Sequence, residues 1–358
     1  MRAAILREYG EPLAIREIPE PEPGPDEAVV RVAACGVCRS DWHAWMGHGE
    51  WADDRVPRGQ VLGHEPAGEV VAVGRSVARF APGDRVVVPF SLGDGTCPYC
   101  RRGAGNVCAD GRALGFEPDA AGAFAERVAV PAADYNLVER PPWLDATAAA
   151  ALGCRYMTAY HALADRAGLG GGDWLAVHGC GGVGLSAIQL GDALGARVVA
   201  VDVDEDALSL ASDLGADEVV NPTTLAADDA VTDRIVELTG GGADVSVDAL
   251  GIAETCRNSV RSVRPRGTHV QVGLTTETER GEVSLPTDWM TRWEVSFVGS
   301  RGMPPTSYDD LFALVEAADV DPGALVRREI SLSDVSDRLA AMGEYDVRGV
   351  EVVTDLAN

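Results

Sequence analysis

The stretch "WLAVHGCGGVGLSAIQLGDALGARVVAVD", running from Trp174 to Asp202, limits the fold of this chain more than any other. An apolar run of strand length leads into Gly179, Gly181 and Gly184, which stand at G-x-G-x-x-G spacing. A helical run follows, and a second β-branched run ends on Asp202. Glycines at these positions permit a tight turn, close backbone approach to a pyrophosphate, and close packing of helix on strand. With Gly182 and Val183 at the helix start, they make a candidate dinucleotide site. Asp202 falls where a carboxylate accepts from the adenosine ribose and repels a 2′-phosphate, which favours NAD and leaves NADP open.

The same texture continues. "EDALSLASDLGA", "DEVVN", "DAVTDRIVELTG", "ADVSVDALG", "THVQVG" and "VSFVGS" alternate strand-like and helix-like runs. That order predicts a doubly wound, parallel α/β sheet of the Rossmann kind. The first third reads differently. "EAVVRVAACG", "GEVVAVG", "GDRVVVP" and "AFAERVAVP" are short β-branched runs set between glycines and prolines, as in a β-rich, partly barrel-like domain. After Ser300, helical runs "SYDDLFALVEAADV" and "LSDVSDRLAAM" lead to a last strand, "GVEVVTDL".

Composition narrows the setting. The 358 residues suffice for two domains, and acidic residues outnumber basic ones by 56 to 30, for a formal net charge of -26. Every basic residue is Arg. So negative a surface disfavours nucleic acid, and no apolar run of about 18 residues predicts a membrane span. The composition resembles that of proteins from salt-loving archaea, where salt screens self-repulsion. The opening "MRAAILREYGEPL" lacks the apolar block of a signal peptide, and the expected location is the cytoplasm. Eight cysteines there point to metal ligation or packing before disulfides.

"GVCRSDWH" places Cys38, Arg39, Ser40, Asp41 and His43 together; "GHE" adds His64 and Glu65, and "ALGCRYMTAYHAL" adds Cys154 and Thr158. With "GCGGVG" downstream, the order of these motifs resembles the zinc-dependent medium-chain alcohol dehydrogenases over essentially the whole chain. The resemblance implies a GroES-like catalytic domain, residues 1–155 and 299–358, interrupted by an NAD-binding Rossmann domain, residues 156–298. It further implies that Cys38, His64 and Cys154 hold one Zn²⁺ with a fourth position open, the mark of a catalytic site. Ser40 matches the family's relay hydroxyl, and His43 the group that passes the alcohol's proton outward by way of the nicotinamide ribose. Arg39 matches a pyrophosphate contact, and Thr158 a position beside the nicotinamide. Asp41 is expected to orient His64, and Glu65 either to support the ligands or to take the fourth zinc position when substrate is absent. Cys35, Cys180 and Cys256 are expected in the core.

A second group, Cys97, Cys100 and Cys108 in "GDGTCPYCRRGAGNVC", reads as a zinc knuckle one ligand short. The family's structural lobe usually runs C-x2-C-x2-C-x7-C, and that register puts the missing ligand at Asp94. A carboxylate can ligate zinc, so two zinc ions per subunit are expected, with an empty lobe of three thiols as the rival.

Phe90 falls where the family places an aromatic beside the alcohol carbon, and Trp42, Trp45, Trp51 and Phe116 lie in loops near that pocket or serve packing. An aromatic wall favours apolar alcohols and aldehydes. Polyol, sugar or threonine dehydrogenation is the alternative within the family. A zinc-free quinone or enoyl reductase lacks the Cys38–His64–Cys154 set, and a non-catalytic relative predicts decay of Ser40 and His43. Relatives imply a homodimer or homotetramer, pairing through "VSFVGS".

Overall fold

The computed structural model describes residues 1–48, 55–225, 230–344 and 349–358; the predicted pocket residue Trp51 lies outside them. The chain packs as two compact units. One comprises Met1–Met157, Gly302–Ala313 and Asp321–Asn358, the other Thr158–Arg301 and Leu314–Val320.

The first unit is built on a seven-stranded sheet. Its main path runs Val326–Ser331, Val350–Asp355, Ala28–Val37, Glu65–Val73, Arg85–Val87 and Val138–Glu139, and Arg127–Val130 pairs with Ala28–Val37 as well. Only the first pair in that path is parallel. The long strand Ala28–Val37 is buried at every position except Arg31 and Ala33, because it takes partners on both edges and carries packed side chains on both faces. Its pairing with Glu65–Val73 sets Gly36 opposite Glu65. Two ligand candidates therefore lie next to the ends of paired strands: Cys38 directly follows one, and His64 directly precedes the other.

The second unit holds a six-stranded, all-parallel sheet in the order Glu218–Val220, Arg197–Val201, Trp174–His178, Ala243–Asp248, Val263–Gln271, Ser296–Gly299. In sequence rank this is 3-2-1-4-5-6, the order of a doubly wound dinucleotide-binding sheet. Ala176, Val199, Val201, Val220 and Ile235 form one of its core clusters, as expected of strands covered on both faces. Helices Gly182–Ala193 and Glu205–Asp213 follow the first two strands, and Asp204 caps the second by accepting from the N–H groups of Asp206 and Ala207. The strand predicted at "VSFVGS" is observed as Ser296–Gly299 at the sheet edge.

Candidate active site and metal centres

Directly after Cys38 the chain turns into a short helix, Arg39–Met46. The Asp41 carboxylate accepts from the Cys38 N–H at 2.9 Å, closing a capping box, and Gly47 ends the helix in the left-handed region at φ 70°. Three predicted site residues, Ser40, Asp41 and His43, are thereby fixed on one helix. Asp41 also meets Nδ1 of His64 at 2.8 Å and accepts from the Gly63 N–H at 3.1 Å. Both side chains are fully enclosed. With Nδ1 engaged, Nε2 of His64 is buried and has no hydrogen-bond partner.

That orphan nitrogen sits among other donors. One ligand atom each from Cys38, His64, Glu65 and Cys154 lies within 4.8 Å of all the others. Cys154 comes from a stretch, Leu152–Tyr156, wound as a π-helix and interrupted at Gly153, whose φ −55° and ψ −142° are not helical. π-helical turns of this kind recur at functional sites. A shared hydrogen bond pushes the Cys38 thiol well below and the Cys154 thiol well above their ordinary value. Two sulfurs and an unpaired imidazole nitrogen in a buried cluster are the donor set that suits Zn²⁺, so the residues present fit the metal.

Arg155, the residue after Cys154, was not singled out in the sequence. It is buried, and its Nη2 donates to Glu65 Oε2 at 2.5 Å. Burial raises the Glu65 carboxyl to about 7 against the opposing pull of Arg155. A signal was present: Glu65 and Arg155 are each the charged residue immediately after a predicted ligand, and Arg155 closes an otherwise apolar "ATAAAALGC" run. Two charges in such positions are buried only as partners.

Around the cluster, the ring of Phe90 meets that of His64 at 5.7 Å and the ring of Phe116 meets it at 4.9 Å. Ser40 Oγ stands 3.9 Å from Cys38 Sγ. Nδ1 of His43 contacts Nδ1 of His48 at 3.2 Å, and burial, followed by Arg39 and His48, lowers the His43 pKa to about 4. Arg39 lies over the Trp42 ring at 4.2 Å and donates to the Met342 carbonyl. Trp45 is buried, with its indole N–H on the Glu11 carbonyl. Cys35 is fully buried beside this region, and Cys180 and Cys256 are buried in the second unit.

The knuckle residues also converge. Asp94, Cys97, Cys100 and Cys108 each offer a ligand atom within 4.8 Å of the rest. Asp94 Oδ1 accepts from the N–H groups of Thr96 and Cys97 at 2.8 and 2.9 Å. The Asp94 N–H points to Cys108 Sγ and the Cys100 N–H to Cys97 Sγ, both at 3.4 Å. All eight cysteines are free thiols.

In the second unit, Gly179 adopts φ 95°, and a Cβ on Gly184 would come within 1.8 Å of the Gly179 carbonyl oxygen. A Cβ on Gly181 would meet nothing within 4 Å, so the approach to the helix start is open there. Asp202 Oδ2 accepts from the Cys180 N–H at 2.6 Å, tying the glycine turn to the end of the second strand. Thr158 Oγ1 is buried without a hydrogen-bond partner.

Known proteins are similar to this chain over nearly its whole length. Residues 24–142 match the alcohol dehydrogenase GroES-like domain, and residues 182–317 match the zinc-binding dehydrogenase family. An alcohol dehydrogenase of Geobacillus stearothermophilus is 35% identical over 95% of this chain and 96% of its own length. An NAD-dependent alcohol dehydrogenase of Sulfurisphaera tokodaii is 33% identical over 99% of both chains. The structure of alcohol dehydrogenase TADH from a Thermus species superposes with a TM-score of 0.89 at 31% identity, covering 99% of each chain. On these matches, the chain belongs to the zinc-dependent medium-chain alcohol dehydrogenase family.

Proposed function

We propose that Cys38, His64 and Cys154 hold a catalytic Zn²⁺ and that the chain oxidises apolar alcohols, or reduces the matching aldehydes and ketones, with NAD(H). The observation that carries this reading is the buried, unpartnered Nε2 of His64 among two sulfurs. Zn²⁺ held there would supply Lewis acidity that makes an alcohol hydroxyl acidic near neutral pH, and NAD held at the glycine turn would supply the hydride acceptor.

The chain's own residues do the rest. Asp41 holds His64 with Nε2 free, and Cys38 and Cys154 give up their protons when the cation binds. Ser40 Oγ accepts the hydroxyl proton as it gives up its own toward the nicotinamide ribose. His43, kept neutral by burial, can receive that proton and release it toward water. Phe90 and Phe116 form an apolar wall against His64 that excludes water and favours apolar substrates over polyols, whose hydroxyls would lack partners there. Gly179, Gly181, Gly182, Val183 and Gly184 cradle the pyrophosphate, and Thr158 stands beside the nicotinamide. Asp202 accepts from the ribose. Its neighbours Asp204, Glu205 and Asp206 add negative charge against a 2′-phosphate.

Asp94, Cys97, Cys100 and Cys108 hold a second, structural zinc, in which a carboxylate replaces the family's first cysteine. Backbone N–H groups donate to the sulfurs of Cys97 and Cys108. Assembly as a dimer or tetramer would use the edge strand Ser296–Gly299, where Phe297 is exposed. The acidic, lysine-free composition fits a salt-rich, reducing cytoplasm. No helix among the described residues is long and apolar enough to cross a membrane.

The test is NADH formation from a panel of primary and secondary alcohols at molar salt, with and without a strong chelator. Activity that survives removal of zinc would overturn the reading.

A further inference from the structure

Glu65 and Arg155 form an enclosed ion pair beside the donor cluster, and three-ligand zinc chemistry uses neither. Their side chains are 0% and 5% exposed. Arg155 holds the carboxylate at two points: Nη2 donates to Oε2 at 2.5 Å, and the backbone N–H reaches Oε1 at 3.4 Å.

The carboxylate sits in a slot made by two glycines. Gly36 pairs across the sheet with Glu65, and a Cβ there would stand 2.1 Å from Oε2. A Cβ on Gly153 would stand 2.5 Å from the Glu65 Cβ. Any larger residue at either position would expel the carboxylate from the guanidinium. At the same time a Glu65 oxygen lies within 4.8 Å of the ligand atoms of Cys38, His64 and Cys154.

One carboxylate therefore has two claimants. Two thiolates and an imidazole leave Zn²⁺ one ligand short, and a carboxylate oxygen at this range is an able fourth ligand. The guanidinium is the competing partner, and its Nε is buried with no acceptor. Half of the donor fork is thus unused, and a small rotation of the carboxylate would engage it in the bidentate manner Arg favours.

We propose that Arg155 is a positioning residue that latches Glu65 off the metal, keeping the fourth coordination position free for the alcohol oxygen. The latch rests on the reading of Cys38, His64 and Cys154 as the ligands of an open site. A larger share of Glu65 on the metal would close that site without changing the three permanent ligands.

Cobalt-substituted protein tests this without turnover. Thiolate-bound Co²⁺ absorbs in the visible, and among the two expected sites only one with an exchangeable position responds to added imidazole. Arg155→Met is expected to weaken imidazole binding at least about tenfold, because Glu65 then competes for the position. Arg155→Met/Glu65→Gln removes both buried charges together and is expected to restore binding to within about threefold of the parent. Arg155→Lys keeps the charge without the planar fork and should fall between parent and Arg155→Met; it decides the matter if Arg155→Met does not fold. Unchanged imidazole affinity in Arg155→Met, or in Arg155→Lys where that variant decides, overturns the latch. So does failure of the double variant to restore binding. Cobalt uptake by the parent with no imidazole response overturns the open-site reading, and the latch with it.

Discussion

One buried carboxylate fixes two of the three zinc-ligand candidates: Asp41 Oδ1 lies 2.8 Å from Nδ1 of His64, while its Oδ2 accepts from the Cys38 N–H at 2.9 Å. The helix cap and the orientation of the imidazole are the same structural device. Asp41→Asn keeps the volume and loses the charge that makes Nδ1 the protonated nitrogen of His64. Loss of such a supporting group typically costs about 10–100-fold in metal affinity, and zinc should be lost in that range. Competition against a chromophoric chelator measures it. An affinity within about twofold of the parent would remove Asp41 from the metal site.

Two buried histidines outside that site set an acid limit. In the second unit, burial and then His269 lower His178 to about 3, and burial lowers His269 to about 4. An unfolded histidine titrates near 6.5. The unfolded chain therefore binds protons first, so this share of stability is complete above about pH 6.5 and declines as pH falls toward 4 and 3. At pH 5 the His178 share of the loss is about 2 kcal/mol. His178→Gln, which cannot charge, should flatten the stability profile between pH 7 and 5 by about that amount. Denaturant midpoints of parent and variant across this range check the difference. Parallel profiles would refute it.

Much of the fold was legible because its signals are local. The glycine turn, the β-branched runs and the helical runs of the second unit each announce themselves within a dozen residues, and the strands observed at Trp174–His178, Arg197–Val201 and Ala243–Asp248 lie inside the predicted runs. The ligand candidates could be named by their motifs, with the family pattern supplying their roles. What the sequence hid was long-range pairing. Gly36 looks like a strand interruption until the register sets it against Glu65. Arg155 looks like a surface cation until its backbone, leaving helical geometry at Gly153, lies under Glu65. The pairing of His43 with His48 likewise depends on how Gly47 ends its helix. No spacing rule encodes these contacts, because their partners are chosen by the packed strands.

The knuckle offers a count. If Asp94 completes its four ligands, the purified protein holds two zinc ions per subunit, and Asp94→Ala should bring that to one while leaving the Cys38–His64–Cys154 zinc in place. The carboxylate also accepts from the Thr96 and Cys97 N–H groups, so its loss should loosen the lobe and expose thiols. Asp94→Cys should retain both ions, since it restores the four-thiolate pattern. Metal analysis and thiol titration with a colorimetric reagent settle the matter together. One zinc per subunit in the parent, with the catalytic site filled, would show an empty lobe of three thiols.

On the proposed reading, cofactor choice turns on the charge of Asp202, and its two oxygens have other duties as well. Oδ2 accepts from the Cys180 N–H at 2.6 Å and Oδ1 from the Asp204 N–H at 3.0 Å. A carboxylate offers about four lone-pair sites, so capacity remains for a ribose hydroxyl. Asp202→Asn keeps one acceptor and loses the charge, whereas Asp202→Ala loses both along with the anchor of the glycine turn. Asn should therefore narrow the preference for NADH over NADPH about tenfold with modest loss of NADH affinity. Ala should narrow it similarly while weakening NADH itself at least about tenfold, since tenfold is about 1.4 kcal/mol and a hydrogen bond to a charged group contributes about 1.5–3 kcal/mol. Fluorescence titration with both reduced cofactors gives the ratios. The preference should shrink from low to molar salt in the parent, because the screening length falls from about 30 Å at 0.01 M to about 3 Å at 1 M. It should shrink less in Asp202→Asn. A salt-independent preference that survives the Asn substitution would assign the choice to shape rather than to charge.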